Sequence, residues 1–293
     1  MAKRIPYPLK RLFLAGLASL VATAPTHAQI LRATTPLPSF EVATIKLVKG
    51  GKYAFRQGGP DEVYIVGRTT RFLIEDSYNL PPGSKDRLQG GPDWIDTNEY
   101  QIDAKIDVPL AVAMQKMSNQ ERLEQRRLLM QSLFKERFKL KVHFETRELG
   151  VYALVVAKGG SKLTPAKDLP PLDPSQPYRP RNVDDMRGSL MIVPKGGPMF
   201  EMIVKGETLD QFANMLTPHP EIGGRPVVNQ TGLSGAFDFT MDWAREQEAG
   251  SASDAGGPGL FAALEQQLGL KLVSTKAPIE VVIIDHIELP SEN

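Results

Sequence analysis

Between Glu99 and Asp107 the chain alternates strictly. Tyr100, Ile102, Ala104 and Ile106 fall on one side, and Gln101, Asp103, Lys105 and Asp107 on the other. A period of two predicts a strand with one buried face. The same spacing recurs in "AFDFTMDW", where Phe237, Phe239, Met241 and Trp243 oppose Asp238, Thr240 and Asp242. "FEVATIKLV" (Phe40–Val48) and "EVYIVG" are β-branched and apolar, and are predicted strands as well.

Helical spacing marks other stretches. "TTRFLIEDSYNL" opens on Thr69 or Thr70 as an N-cap. "SNQERLEQRRLLMQSLFKERF" offers Ser118 as a cap and Glu121 three residues on, with an apolar stripe of Leu129, Met130, Leu133 and Phe134. After it come "KLKVHFETR" and "GVYALVVAK", expected to fold back on one another as a hairpin around Leu149–Gly150.

The second half echoes the first. "MIVKGETLDQFANML" repeats the strand, glycine, polar cap and helix of "YIVGRTTRFLIEDSYNL", and Leu140–Val156 aligns without a gap on Leu270–His286. This predicts an internal duplication of a strand–helix–strand–helix–hairpin unit. Six prolines from Pro165 to Pro180 exclude a helix or a central strand between the halves. The expected organisation is a signal peptide over 1–28, an N-terminal α+β unit over 29–164, a Pro-rich linker over 165–185 and a C-terminal α+β unit over 186–293. The expected fold class is α+β, antiparallel sheets with helices on one face, because tight hairpins leave no room for parallel crossovers.

Composition changes the picture mainly at the N-terminus. Lys3, Arg4, Lys10 and Arg11 precede a short apolar run, Leu12–Ala22, and Thr26-His27-Ala28 places small residues where a signal peptidase cuts. The run is too short to cross about 30 Å of hydrocarbon as an anchor. Removing 1–28 takes away four basic residues and no acidic one, so 35 − 34 = +1 becomes 31 − 34 = −3. A mildly acidic product points away from nucleic acid and from anionic membrane as partners. Cysteine is absent, which excludes disulfides, thiolate metal sites and cysteine nucleophiles.

"FEVATIK", "GGPDWIDTNEYQIDAK", "LLMQSLFKERFKLKVHFETRELGVYALVVAKGGSKL", "GRPVVNQTGLSGAFDF" and "ALEQQLGLKLVSTKAPIEVVIIDHIELPSEN" follow one another in an order that resembles the large exported paralogue family of Acidobacteria carrying the DUF3738 domain. The resemblance runs from about Phe40 to Asn293. It implies no established activity. In some members a similar domain follows a membrane metallopeptidase of the antibiotic-sensor type, which implies sensing or binding outside the cytoplasm. The helix-then-strand units also resemble the short N-terminal domains of secretins and TonB-dependent receptors. Family members commonly read Asp-Lys-Thr-Gly-Leu and then Tyr-Asp, whereas this chain has Asn229, Gln230 and Phe237 at those positions.

Two stretches carry candidate chemistry. Thr231, Gly232, Gly235 and Asp238 lie in "VVNQTGLSGAFDF", which lacks the Gly-x-Ser-x-Gly spacing of a nucleophile elbow and reads as a glycine corner between strands. His143 and Glu145 share one side of a strand, a pairing able to bind metal or carry a proton, although a solvent-facing histidine is the simpler reading. No metal, phosphate or dinucleotide motif has its required spacing, so no catalytic residue, metal or cofactor is expected. The functional expectation is a non-catalytic, ligand- or partner-binding (sensing) module of the cell envelope, periplasmic or extracellular. Its partner would be an envelope protein or a small ligand, with no transmembrane helix once the leader is cut. The alternative is a secreted or periplasmic hydrolase in which His143, Glu145, Asp238 and Asp242 converge only in the fold.

Overall fold

The computed structural model describes residues 30–32, 37–48, 50, 54–56, 61–117, 119–167, 188–245 and 257–290. The expected signal peptide, the Ser118 cap and the bulk of the Pro-rich linker lie outside these residues. Among the described residues no helix is long and apolar enough to cross a membrane.

The protein is α+β, and its described residues form three four-stranded sheets. The first outer sheet runs β1 (Phe40–Val48), β5 (Glu99–Ile106), β3 (Glu62–Thr69), β2 (Ala54–Arg56), with every pair antiparallel. The second runs β7 (Thr164–Pro165), β11 (Ala236–Ala244), β9 (Met199–Thr208), β8 (Ser189–Gly196), again antiparallel. The central sheet runs β10 (Val227–Asn229), β6 (Lys141–Val156), β12 (Leu270–His286), β4 (Leu88–Gly90). Its two long strands are antiparallel, and each short edge strand is parallel to its neighbour.

The hairpin expected at Leu149–Gly150 does not form. β6 is one sixteen-residue strand, and it pairs with β12 from Leu270↔Val156 to Ile284↔Val142. A tight two-residue hairpin needs left-handed residues at its corner, and neither Leu149 nor Gly150 has a positive φ. The β-branched runs on either side instead find a partner along their whole length.

The two outer sheets correspond strand for strand. β3 and β9 each break register against their partner beside a glycine of positive φ, Gly67 (70°) and Gly206 (64°). Each then runs into an eight-residue helix, α1 (Thr70–Ser77) or α5 (Leu209–Leu216), capped by the threonine before it. Phe72 N–H donates to Thr69 Oγ1 and Gln211 N–H to Thr208 Oγ1, each at 3.3 Å, satisfying one of the donors a helix start leaves free. The long strands follow left-handed residues too, Lys139 (φ 53°) and Gly269 (φ 65°). Glu148 pairs with Pro278 at the middle of the ribbon, so it reads the same from either end under the alignment of Leu140 on Leu270. The lobes differ in their extra helices. α2 (Trp94–Thr97) and α3 (Val108–Gln115) were not foreseen from the sequence and belong to the first lobe. The long α4 (Asn119–Arg137) stands where the described residues of the second lobe give α6 (Leu260–Ala263), which continues into a π-helical turn over Leu264–Leu268.

Two main cores result. One joins Ile65, Ile102 and Ile106 of the first outer sheet to Ile74 of α1, Phe134 of α4 and Val282 of the ribbon. The other joins Met202 and Trp243 of the second outer sheet to Phe212 of α5, Leu264 and the opposite end of the ribbon at Leu154 and Leu270. Each such fully buried side chain contributes about 1.5–3 kcal/mol. The central ribbon therefore belongs to both lobes.

Candidate functional site

The stretch Thr231–Asp238 is a backbone corner. Asn229 Oδ1 accepts from Thr231 N–H at 3.1 Å and from Thr231 Oγ1 at 2.8 Å, while Thr231 Oγ1 accepts from Leu233 N–H at 3.2 Å. Gly232 and Gly235 take φ of 71° and 95°, which side chains disfavour. Asp238 ties two segments together, accepting from Gly206 N–H at 2.8 Å and Lys167 N–H at 3.3 Å. Asp242, further along β11, pairs with Lys195 at 2.9 Å.

His143 and Glu145 lie on the central ribbon. His143 Nε2 meets Glu145 Oε1 at 3.0 Å, and Nδ1 meets Asp285 Oδ1 at 2.7 Å. Asp285 reaches the imidazole because the register slips between Ile284 and His286. Arg147 Nε donates to Glu145 Oε2 at 2.7 Å, and Arg147 also bonds Gln89. The hydrogen bonds to Glu145 and then Asp285 hold the imidazole pKa above its ordinary value; those from His143 and then Arg147 hold Glu145 below its own. The two carboxylates engage opposite ring nitrogens, so they do not converge on one point as metal ligands would. Among the described residues no group of three or more His, Asp or Glu side chains is arranged to hold a metal. His143 and Glu145 thus meet Asp285 on the central ribbon, whereas Asp238 and Asp242 sit on the second outer sheet with partners of their own.

A concave site lies elsewhere, at the C-terminus of α1. That helix ends in a left-handed Asn79 (φ 58°), with Leu80 N–H bonding Glu75 C=O at 2.8 Å and Asn79 N–H bonding Asp76 C=O at 2.9 Å. This closure satisfies two of the last carbonyls and leaves those of Ser77 and Tyr78 to other donors. The Ser77 carbonyl takes Gln131 Nε2 from α4 at 2.7 Å, and the Tyr78 carbonyl takes Leu31 N–H at 3.2 Å. Gln131 Nε2 also donates to the Leu31 carbonyl at 2.9 Å. Residues 30–32 are thereby held as a short extended segment. Ile30 is buried in the first core, and the Arg32 guanidinium lies 4.4 Å from the Phe144 ring centre and pairs with Glu280.

Beside this segment opens a cavity of about 650 Å³. Ile30, Leu31 and Arg32 form one wall; Asn79, Glu124, Arg127 and Glu280 form the others. Arg127 is 3.6 Å from Asp76, near the helix end where partial negative charge collects. Behind Glu280 the buried Arg87 donates its Nε to the Glu280 carbonyl at 3.4 Å, and burial lowers its pKa to about 10. The walls thus carry two guanidinium and two carboxylate groups, suited to a ligand with both charge signs or to a peptide backbone.

Sequence reasoning singled out none of these seven residues. One signal was available: Gln131 is a polar residue inside the apolar run Leu129–Phe134, and it is 4% exposed. Such a residue needs a hydrogen-bonding task. Arg32, Glu280 and Asn79 are far apart along the chain and gave no pattern.

No curated protein and no solved structure matches the chain. A family model described as "Protein of unknown function (DUF3738)" matches residues 71–287. That span runs from α1 to the end of the ribbon, with β1, β2 and β3 before it, and the chain belongs to the DUF3738 family.

Proposed function

We infer that this protein is an exported binding or sensing module of the cell envelope. On this reading residues 1–28 direct it out of the cytoplasm and are removed near Ala28. The remainder then binds a small ligand or an envelope partner, without turnover, in the periplasm or outside the cell. The resemblance to exported acidobacterial paralogues supports the same reading, and the matching registers of the two lobes support their origin by internal duplication.

The observation that carries the proposal is the cavity at the end of α1. Its volume of about 650 Å³ falls within the roughly 300–1,000 Å³ of small-ligand sites. Its charged groups come from the segment at 30–32, from α4 and from β12, so an occupant would touch three separate parts of the chain. The polar residues that a hydrolase would require are instead engaged in ion pairs and turns on two different sheets.

A thermal-shift screen of metabolites and short peptides tests this. The expected result is a saturable rise in unfolding temperature that Arg127→Ala removes and Asp242→Asn retains. A rise that survives Arg127→Ala places binding elsewhere, and turnover abolished by a single polar substitution refutes a non-catalytic module.

A further inference from the structure

The site at the end of α1 has two parts: the open cavity, and the groove already filled by Ile30–Arg32. The filled groove reads its occupant as a peptide. It takes one residue's N–H and C=O together, from Leu31, through the Tyr78 carbonyl at 3.2 Å and the Gln131 amide at 2.9 Å. It takes an apolar side chain on one side, Ile30, which is 5% exposed. On the other it takes a guanidinium, stacked on Phe144 at 4.4 Å and paired with Glu280. Gln131 is itself fixed by its second bond, to the Ser77 carbonyl. Leu31 contributes its backbone bonds and lines the neighbouring cavity, so the pattern read is an apolar residue and an arginine two positions on.

We propose that this groove is a recognition site for an extended peptide segment of a partner protein carrying an apolar–x–Arg pattern, and that the chain's own Ile30-Leu31-Arg32 occupies it as an internal competitor. The proposal rests on the binding function inferred above and names its ligand class. Backbone bonds supply affinity and two side-chain seats supply selectivity, as in other recognition of extended peptides. The neighbouring cavity, with Glu124 and Arg127 on its walls, receives whatever adjoins the seated residues. A tethered segment competes at an effective concentration near millimolar, so an external peptide binds well only once the internal one is weakened.

The test uses the full chain and a fluorescein-labelled peptide of residues 29–36. Fluorescence anisotropy is measured on the unaltered chain and on a chain carrying Ile30→Asp and Arg32→Glu. The double variant is expected to bind at least about tenfold more tightly, because its competitor is disabled. In that background Gln131→Leu weakens binding; with Arg32→Ala in place of Arg32→Glu, Glu280→Arg transfers preference to a peptide with glutamate in place of arginine. Equal binding to the unaltered and double-variant chains overturns the proposal. So does absence of binding by a double variant with native circular dichroism. Should the double variant fail to fold, millimolar peptide is titrated into the unaltered chain and the Leu31 amide is followed by NMR. Saturable displacement supports the groove, and an unmoved amide refutes it. Failure of every peptide, together with a small-molecule shift that depends on Arg127, removes this inference and leaves the binding function standing.

Discussion

The two lobes follow the same path and finish their first helix differently. In the first lobe α1 closes with Asn79 and leaves the Ser77 and Tyr78 carbonyls for Gln131 and Leu31. In the second, α5 is closed by residues that follow it. Thr217 N–H bonds the Asn214 carbonyl, His219 N–H bonds that of Leu216, and Thr217 Oγ1 accepts from Val227 N–H at 3.2 Å. Gln131 lies eight residues before the left-handed Lys139, and eight residues before Gly269 stands Phe261, packed edge-on to Tyr152 at 5.5 Å. Arg225 also lies over that tyrosine, 4.1 Å from its ring centre, and bonds the Val151 carbonyl. At corresponding positions one lobe thus has a buried amide and the other a partly exposed aromatic pair. The first helix draws the donors for its last carbonyls from distant parts of the chain, the second from residues that closely follow it.

The comparison is most easily broken in the core. Ile106 and Trp243 hold corresponding positions on β5 and β11, and both are fully buried. Trp243→Ala is expected to cost about 3–5 kcal/mol and Ile106→Ala about 2–5 kcal/mol in denaturant unfolding. Because the ribbon joins the lobes, each should lower one shared transition. Two separate transitions would show that the lobes are independent.

The left-handed residues before the long strands should respond with opposite signs. A Cβ on Gly269 would lie 2.0 Å from the Gly160 carbonyl oxygen, so Gly269→Ala is expected to destabilise by about 2–3 kcal/mol. Lys139 already pays the left-handed penalty, and Lys139→Gly should stabilise by about 0.5–1 kcal/mol. Equal responses in thermal melts would contradict the correspondence. Smaller still are the caps: Thr69→Ala and Thr208→Ala should each cost about 1 kcal/mol. Thr208 should lose slightly more, because its hydroxyl also donates to Gln211 Oε1 at 2.9 Å.

The second lobe should also carry a pH dependence. At the corresponding register breaks stand Arg68 and Glu207, and burial pushes the Glu207 carboxyl up to about 7. A carboxyl with a folded pKa above its unfolded value binds its proton more tightly when folded. Its contribution is complete below about 4.5 and is lost as pH rises through about 7. Glu207→Gln should flatten the unfolding midpoint across that window. An unchanged profile would show that another group titrates there.

The alternation at Tyr100–Ile106 and at Phe237–Trp243, and the caps at Thr69 and Thr208, were legible because period and capping are local properties. The ribbon was not. Residues 141–156 read as two strands because a glycine interrupts the apolar run, and only the partner at 270–286 makes them one. The short helices α2 and α3 escaped for a related reason: α3, "VPLAVAMQ", carries no charge to mark an outer face. Of the sites, the Thr231–Gly235 stretch has hydrogen bonds that run within its own corner. The groove at Gln131 was missed because its parts meet across 249 positions of chain, from Leu31 to Glu280.

The shared ribbon also bears on the order of synthesis. β6 finds its long partner only when residues 270–286 exist. At 5–20 residues per second the intervening stretch, 157–269, takes roughly ten seconds to make. Through that interval the first lobe carries a long, β-branched strand with an open edge, the kind that pairs with foreign chains. A holding factor, or a translocation step that delays folding until the last strand arrives, would protect the newborn protein from its own architecture.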